Sequence, residues 1–237
     1  MIDSLMTHSV SSNTRNNAAK YSHNTVQGHH HSVFEISYYA DMQQIRWSMS
    51  VGSLLDPHSP AARYAASNVL KRPILGCGVI VSEKTSNRLV ISDLHIPYQH
   101  KDAFDFLWAV KKEFKCDETF NVGDVIDHHQ GSYHESETDA LSPEDEFNKA
   151  RLQCAELEAR FPKMVITQGN HDCIPQRKLK TVGLPADMIN DYNALYRLKG
   201  GWNWVNQHKF DSGDGRPVLV PMTLNKRGRW DKKVKAR

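Results

Sequence analysis

Three stretches decide the reading: Arg88-Leu-Val-Ile-Ser-Asp-Leu-His95, Thr119-Phe-Asn-Val-Gly-Asp124 and Lys163-Met-Val-Ile-Thr-Gln-Gly-Asn-His-Asp172. Each opens with an apolar run of strand length and closes in a turn built from Gly, Asp, Asn or His. Two helix-sized segments separate them. Residues 101–114 place Ala103, Leu107, Val110 and Phe114 on one face. Ser142 reads as an N-cap, with Pro143 at the first helical position and Asp145 two further on. The stripe behind it is Phe147, Ala150, Cys154 and Leu157. Strand, helix, strand, helix, strand implies parallel βαβ units. Their strand C-termini lie along one edge of the sheet, where sites form.

The residues at those ends are metal-binding types. In Asp93-Leu94-His95, positions i and i+2 of an extended segment point the same way, so both side chains reach one cation. In Gly123-Asp124-Val-Ile-Asp127 and Gly169-Asn170-His171-Asp172, glycine permits the tight turn that aims the next side chain outward. Singly, each motif is also an ordinary polar turn. Carboxylate, imidazole and amide oxygen together suit Mn²⁺, Fe or Zn²⁺ better than a thiolate-seeking metal. A shared Asp can bridge two cations about 3.5–4 Å apart, an arrangement that clamps a phosphoryl group.

In this order the three motifs resemble those of the calcineurin-like metallophosphoesterases. That family continues with an isolated His and then a Gly-His-x-His motif. Nothing after Asp172 supplies them, since His208 is the only later histidine. Matching pieces stand at the other end: Leu5-Met-Thr-His8 resembles the strand with the isolated His, and Gly28-His29-His30-His31 resembles Gly-His-x-His. In the isolated-His piece Ser9 stands where relatives carry Gly. A β-patterned stretch over Val33–Met49, turning near Asp41, and then Val51-Gly-Ser-Leu54 resemble the family's closing hairpin and Gly-Ser turn. The resemblance thus implies an α/β fold, a four-layer α/β/β/α sandwich of two mixed sheets with permuted connectivity. Residues 1–84 would be the family's C-terminal portion, 88–210 its N-terminal portion, and 211–237 a final strand and basic tail, all in one domain. Arg216–Thr223 is expected to pair with Leu75–Val81.

The ligand set that the resemblance implies is Asp93, His95, Asp124 and His31 for one metal, and Asp124, Asn170, His8 and His29 for the other. Mn²⁺ is the favoured ion. His171 would act on the phosphoryl oxygens or the leaving group, Asp172 would orient His171, and Asp127 would have a supporting part. His128 and His129 face substrate or occupy a solvated loop; the sequence favours neither.

Elsewhere the chain is less informative. Residues 1–32, rich in Ser, Asn and His, taken alone look like a disordered leader or a tag. Residues 60–68 suggest a short helix, as do Pro185–Leu198, within a stretch from Cys173 to Lys209 that carries no interpretable motif. The four cysteines show no Cys-x-x-Cys spacing and read as reduced thiols. No apolar run is long enough to span a membrane. No signal peptide is recognised, which points to a cytoplasmic location.

The net charge of +3 tolerates an anionic substrate without demanding nucleic acid. The compact size and the resemblance to virus-borne members tilt the substrate toward a phosphodiester in nucleic acid or a nucleotide. The competing reading is a catalytically impaired metal-binding protein, or one that binds nucleic acid through the basic tail, with Trp230 stacking on bases between Arg229 and Lys232.

Overall fold

The computed structural model describes residues 3–8, 11, 13–40, 42, 44–63, 72–132, 137–189 and 191–236. Two mixed sheets stack face to face. The first runs in the order β10-β1-β2-β4-β3. Its strands are β1 (Asp3–Thr7), β2 (Asn24–Gln27), β3 (Phe34–Ala40), β4 (Ile45–Val51) and β10 (His208–Asp211). The second runs β11-β5-β6-β7-β8-β9. It comprises β5 (Gly76–Val81), β6 (Arg88–Ile91), β7 (Glu118–Asn121), β8 (Met164–Thr167), β9 (Trp202–Val205) and β11 (Arg216–Pro221).

Between the sheets, Met6, Val26, Met49 and Val51 meet Ile80, Val90, Phe120 and Val122. Alternation along each strand sends the other side chains to the outer faces. Behind the second sheet, Leu89, Ile91 and Ile166 pack on helices α2 (Ala103–Glu113) and α3 (Pro143–Arg160), through Leu107, Val110, Cys154 and Leu157. The expected stripes and N-cap therefore form, and Ser142 Oγ accepts the Asp145 N–H at 3.1 Å. Helix α1 (Thr14–Tyr21) covers the outer face of the first sheet against β2, β3 and β4. The result is the anticipated α/β/β/α sandwich.

β6, β7 and β8 are parallel neighbours. The expected hairpin forms as β3 against β4, with Phe34 opposite Val51; the turn residue Asp41 lies outside the described residues. β11 pairs antiparallel with β5, Arg216 opposite Val81, as anticipated.

Three readings need correction or restriction. The leader-like composition of residues 1–32 conceals β1, α1 and β2. Pro185–Leu198 is not one helix: a 3₁₀ turn spans Ala186–Met188 and a separate four-residue helix, α5, spans Tyr192–Leu195. Asp191 caps α5 through the Asn193 N–H, which sets its start. Of the expected helix at 60–68, residues 60–63 are helical and the remainder lies outside the described residues. Helix α4 (Ile174–Thr181) follows the third motif, and β9 and β10 fill the stretch that carried no motif.

Candidate metal centre

The β6–β7 ladder continues past the strand ends and zips the first two motifs together. Asp93 N–H donates to the Gly123 carbonyl (3.1 Å), His95 N–H to Asp124 (2.9 Å) and Ile96 N–H to Val125 (2.8 Å). Asp93, His95 and Asp124 all hold positive φ, 49°, 51° and 50°. Left-handed backbone at a non-glycine residue costs about 1 kcal/mol or more, so the surrounding bonds fix these three deliberately. Gly123 and Gly169 allow close approach: a Cβ on Gly123 would run into the His8 ring, and one on Gly169 into the Asp124 carboxylate.

The first sheet brings its histidines to the same edge. His8 stands at the end of β1, where its carbonyl accepts the Gly28 N–H (3.1 Å). His29 N–H reaches both Asp93 oxygens at 2.9 and 3.1 Å. All seven residues named as metal ligands therefore lie at one centre. Among them His8, His29 and Asp124 form one cluster of ligand atoms, and His31, Asp93 and His95 another. Asn170 Oδ1 joins the first, 3.1 Å from His8 Nε2.

The donors and acceptors in this cage do not balance. His8 Nδ1 lies 2.8 Å from the Val122 carbonyl oxygen, which can only accept, so Nδ1 carries the hydrogen. In a neutral imidazole Nε2 is then a bare acceptor. It faces two more acceptors, Asp124 Oδ2 at 3.1 Å and Asn170 Oδ1. His95 repeats the pattern. Its Nδ1 donates to Asp127 Oδ1 at 2.5 Å, and its Nε2 faces His31 Nε2 at 3.1 Å and Asp93 and Asp124 oxygens at 3.9 Å. Either extra protons or cations must occupy the space between these lone pairs. The donor set, imidazole with carboxylate and amide oxygen, fits a first-row divalent cation.

The ionisation of the bare centre follows from the same crowding. Burial pushes the His8 imidazole down, but the Asp124 carboxylate overrides it and lifts it to about 10. Burial likewise opposes ionisation of Asp124, yet His8 holds its carboxyl well below the usual range. For Asp93, burial is outweighed by His31, and its carboxyl is lowered too. Asp124 Oδ1 accepts the His171 N–H at 2.9 Å while Oδ2 faces both His8 and His95. Among the described residues it is the carboxylate that reaches ring nitrogens of both clusters.

His171 sits at the rim, its ring centroid 4.6 Å from that of His95. Its Nδ1 donates to the Asp127 main-chain carbonyl at 2.6 Å. The expected contact with Asp172 is not made. The Asp172 carboxylate is fully buried and accepts the N–H of Gly169 (2.9 Å) and of Ile126 (3.1 Å). The turn 169–173 folds that side chain back onto its own start, so it braces the third motif against the second. Burial first, then the Asp124 charge, raises Asp172 to about 7.

Asp127 has the larger part: its carboxylate holds His95 and its carbonyl holds His171. Its lowered carboxyl reflects burial outweighed by the His95 hydrogen bond. A main-chain acceptor leaves no mark in a sequence, so the His171 partner was not legible there. His129 is buried with Nδ1 3.6 Å from Asp127 Oδ2, and His128 accepts from Tyr196.

Two competing readings lose their footing. His8, His29 and His31 are not displaced from the centre. Trp230 is buried against Phe106, with its main-chain N–H on Asp102, so it is not presented to stack on a base. The cysteines are free thiols, and among the described residues no helix is long and apolar enough to cross a membrane.

The model of the calcineurin-like phosphoesterase family matches residues 87–229 of the chain. No curated protein and no solved structure gives a match.

Proposed function

Because the chain belongs to the calcineurin-like phosphoesterases, and is therefore a metal-dependent phosphoester hydrolase, we propose that its centre would hold two divalent cations, with Asp124 contributing to both sites. Asp93, His95 and His31 complete one site, and His8, His29 and Asn170 the other. The observation that carries this reading is the set of lone pairs turned on one another around His8 and His95. Mn²⁺ is the ion we favour. Cations bound there supply Lewis-acid polarisation of the phosphoryl oxygens and lower the pKa of an attacking water.

The chain's own groups then do the following. Asp127 orients two imidazoles: its carboxylate fixes the His95 tautomer, leaving Nε2 as the ligand atom, and its carbonyl fixes His171. His171, with Nδ1–H engaged, keeps Nε2 for the substrate. It can hold a proton there and give it to the departing oxygen. Burial lowers the His171 imidazole, but Asp124 and then Asp127 more than compensate and raise it, which stabilises the proton-bearing form.

We read the substrate as a phosphodiester of nucleic-acid or nucleotide type. We read the chain order as a rearrangement, with residues 1–84 playing the part of the family's C-terminal portion within one domain. That the family match begins at residue 87, while histidines from residues 8–31 reach the same centre, supports this.

Elemental analysis of the purified protein is expected to give about two metal ions per chain. Chelation should abolish hydrolysis of bis-p-nitrophenyl phosphate and Mn²⁺ restore it. Hydrolysis that survives exhaustive chelation would exclude the mechanism. His171→Ala is expected to keep both cations and lower kcat by about 10²–10⁴-fold; an unchanged kcat would remove His171 from the chemistry.

A further inference from the structure

Next to the metal centre lies a cavity of about 540 Å³, well above the needs of a phosphate group. Its walls are apolar: Ile126, Phe147, Ala150, Ile174, Ile189 and Leu195. It shares its frame with the centre. Ile126 and His128 flank Asp127, which holds His95 and His171, and Ile174 N–H donates to the His171 carbonyl at 3.0 Å. The segments 126–131 and 171–175 thus contribute residues both to the supports of the centre and to the lining of the cavity.

Polar groups at the wall are few and differ in availability. Glu146 lines the cavity, but its oxygens are taken by the N–H groups of His129 (2.7 Å) and Gln130 (3.3 Å). His128 is different. Its Nε2 lies 2.7 Å from the Tyr196 hydroxyl, and Tyr196 is 1 % exposed. Among the described residues that phenol has no other acceptor, so the O–H donates to Nε2 and the His128 proton sits on Nδ1. Burial pushes the imidazole down to about 4, so the ring is neutral. The buried tyrosine therefore leaves Nδ1–H as the uncommitted donor of a ring that lines the cavity, with no described residue accepting from it. Lys178 is the one basic side chain of the lining. Gln130 and Glu144 complete the polar lining, Gln130 Nε2 being spent on the Leu141 carbonyl at 3.0 Å, and the predominantly apolar walls suit an uncharged ring better than a run of phosphates.

We infer that this cavity receives the organic half of the substrate, and that this half is a flat heteroaromatic ring with a hydrogen-bond acceptor, a nucleobase, held through His128 Nδ1–H. The inference rests on the reading of the neighbouring centre as the phosphoesterase site, and it narrows the substrate to nucleotide-type esters. It also gives His128 a substrate-facing part.

Calorimetric titration of the full-length protein as purified tests it, with adenosine, uridine, p-nitrophenol and ribose 5-phosphate as probes. At least one nucleoside is expected to bind tenfold or more tightly than ribose 5-phosphate and more tightly than p-nitrophenol. His128→Phe, which keeps a flat ring and removes the donor, should weaken nucleoside binding about fivefold to tenfold. Ile189→Trp, at the partly exposed rim, should weaken it at least as much by filling the space. Ribose 5-phosphate binding as tightly as both nucleosides would overturn the inference, as would p-nitrophenol binding more tightly than either. So would nucleoside binding unchanged in both variants. Nucleosides carry no phosphate, so these outcomes are independent of the metal count: a protein that binds nucleosides here yet holds no cations would sink the hydrolase centre alone.

Discussion

His95 and His8 each turn Nε2 toward Asp124, yet they are held by different means. His95 belongs to the central block, formed by β6, β7 and β8 with the turns that follow them. It is 2 % exposed, has left-handed backbone, and is gripped through Nδ1 by the buried Asp127 carboxylate. His8 comes from the first sheet and is gripped through Nδ1 by the Val122 carbonyl, which belongs to the central block. His29 is tied the same way, by its main-chain N–H to Asp93. The central block therefore positions itself and also positions the histidines that the N-terminal strands bring to it. Carboxylates are concentrated in one region, and imidazoles that close the cage come from the other, where His29 shares the left-handed backbone of Asp93, His95 and Asp124.

The largest effect that would break this picture is expected at the point both regions share. Asp124→Asn removes the charge facing His8 and His95 and leaves the side chain nearly isosteric. Hydrolysis should fall at least about a thousandfold, and the metal content should drop from two to one or none. Circular dichroism should show a retained fold. A variant that keeps both cations and most of its activity would show that Asp124 does not bridge.

The next effect separates the two regions. His95→Ala takes the closest partner from Asp127, a carboxylate 1 % exposed, leaving only the longer contacts to His129 and His171, and weakening the pairing of a buried charge in this way costs about 3 kcal/mol. For a chain of this size that lowers Tm by roughly 6–12 °C. His8→Ala abandons the Val122 carbonyl and removes the imidazole facing Asp124 Oδ2, but that carboxylate keeps the His171 N–H, so the cost should be smaller, about 1–2 kcal/mol, or roughly 2–8 °C. Each variant should lose one cation. Equal losses of Tm would mean that the central block has no privileged part in holding the centre.

What could be seen in the sequence follows the same division. β6, β7, β8, α2 and α3 bury apolar faces, and apolar periodicity is what a sequence displays most clearly. Helix α1 does not: its buried face is polar, with Thr14 bonded to Glu35 at 2.5 Å and Asn17 to Gln27. It lies over buried Thr25 and Ser48, and such a face reads as a disordered leader. The metal-type residues were legible because their turns are short and chemically distinctive. The support beneath them was not. The anchor of His171 is a carbonyl, and the brace formed by Asp172 depends on a turn that folds back on itself. Nor could a pattern of residue types disclose the Tyr196–His128 pair, since 68 positions separate its members.

The smallest expected effect sharpens the picture of how the central block grips its own loop. Glu146 on α3 accepts the His129 and Gln130 N–H groups and so pins the turn that follows Asp127. Burial raises its carboxyl to about 7, with the Asp127 charge adding to the rise and the two amides opposing it. A carboxyl raised in the folded state binds its proton more tightly there than in the unfolded chain. The stabilisation is complete below the ordinary value near 4.5 and is lost as pH rises through about 7. The protein should therefore lose on the order of 2–3 kcal/mol of this contribution between pH 4.5 and 7.5. Glu146→Gln cannot titrate, so its Tm against pH should be flatter than that of the parent over this window, whatever its absolute height. Parallel profiles would mean that Glu146 keeps its ordinary ionisation in the folded protein.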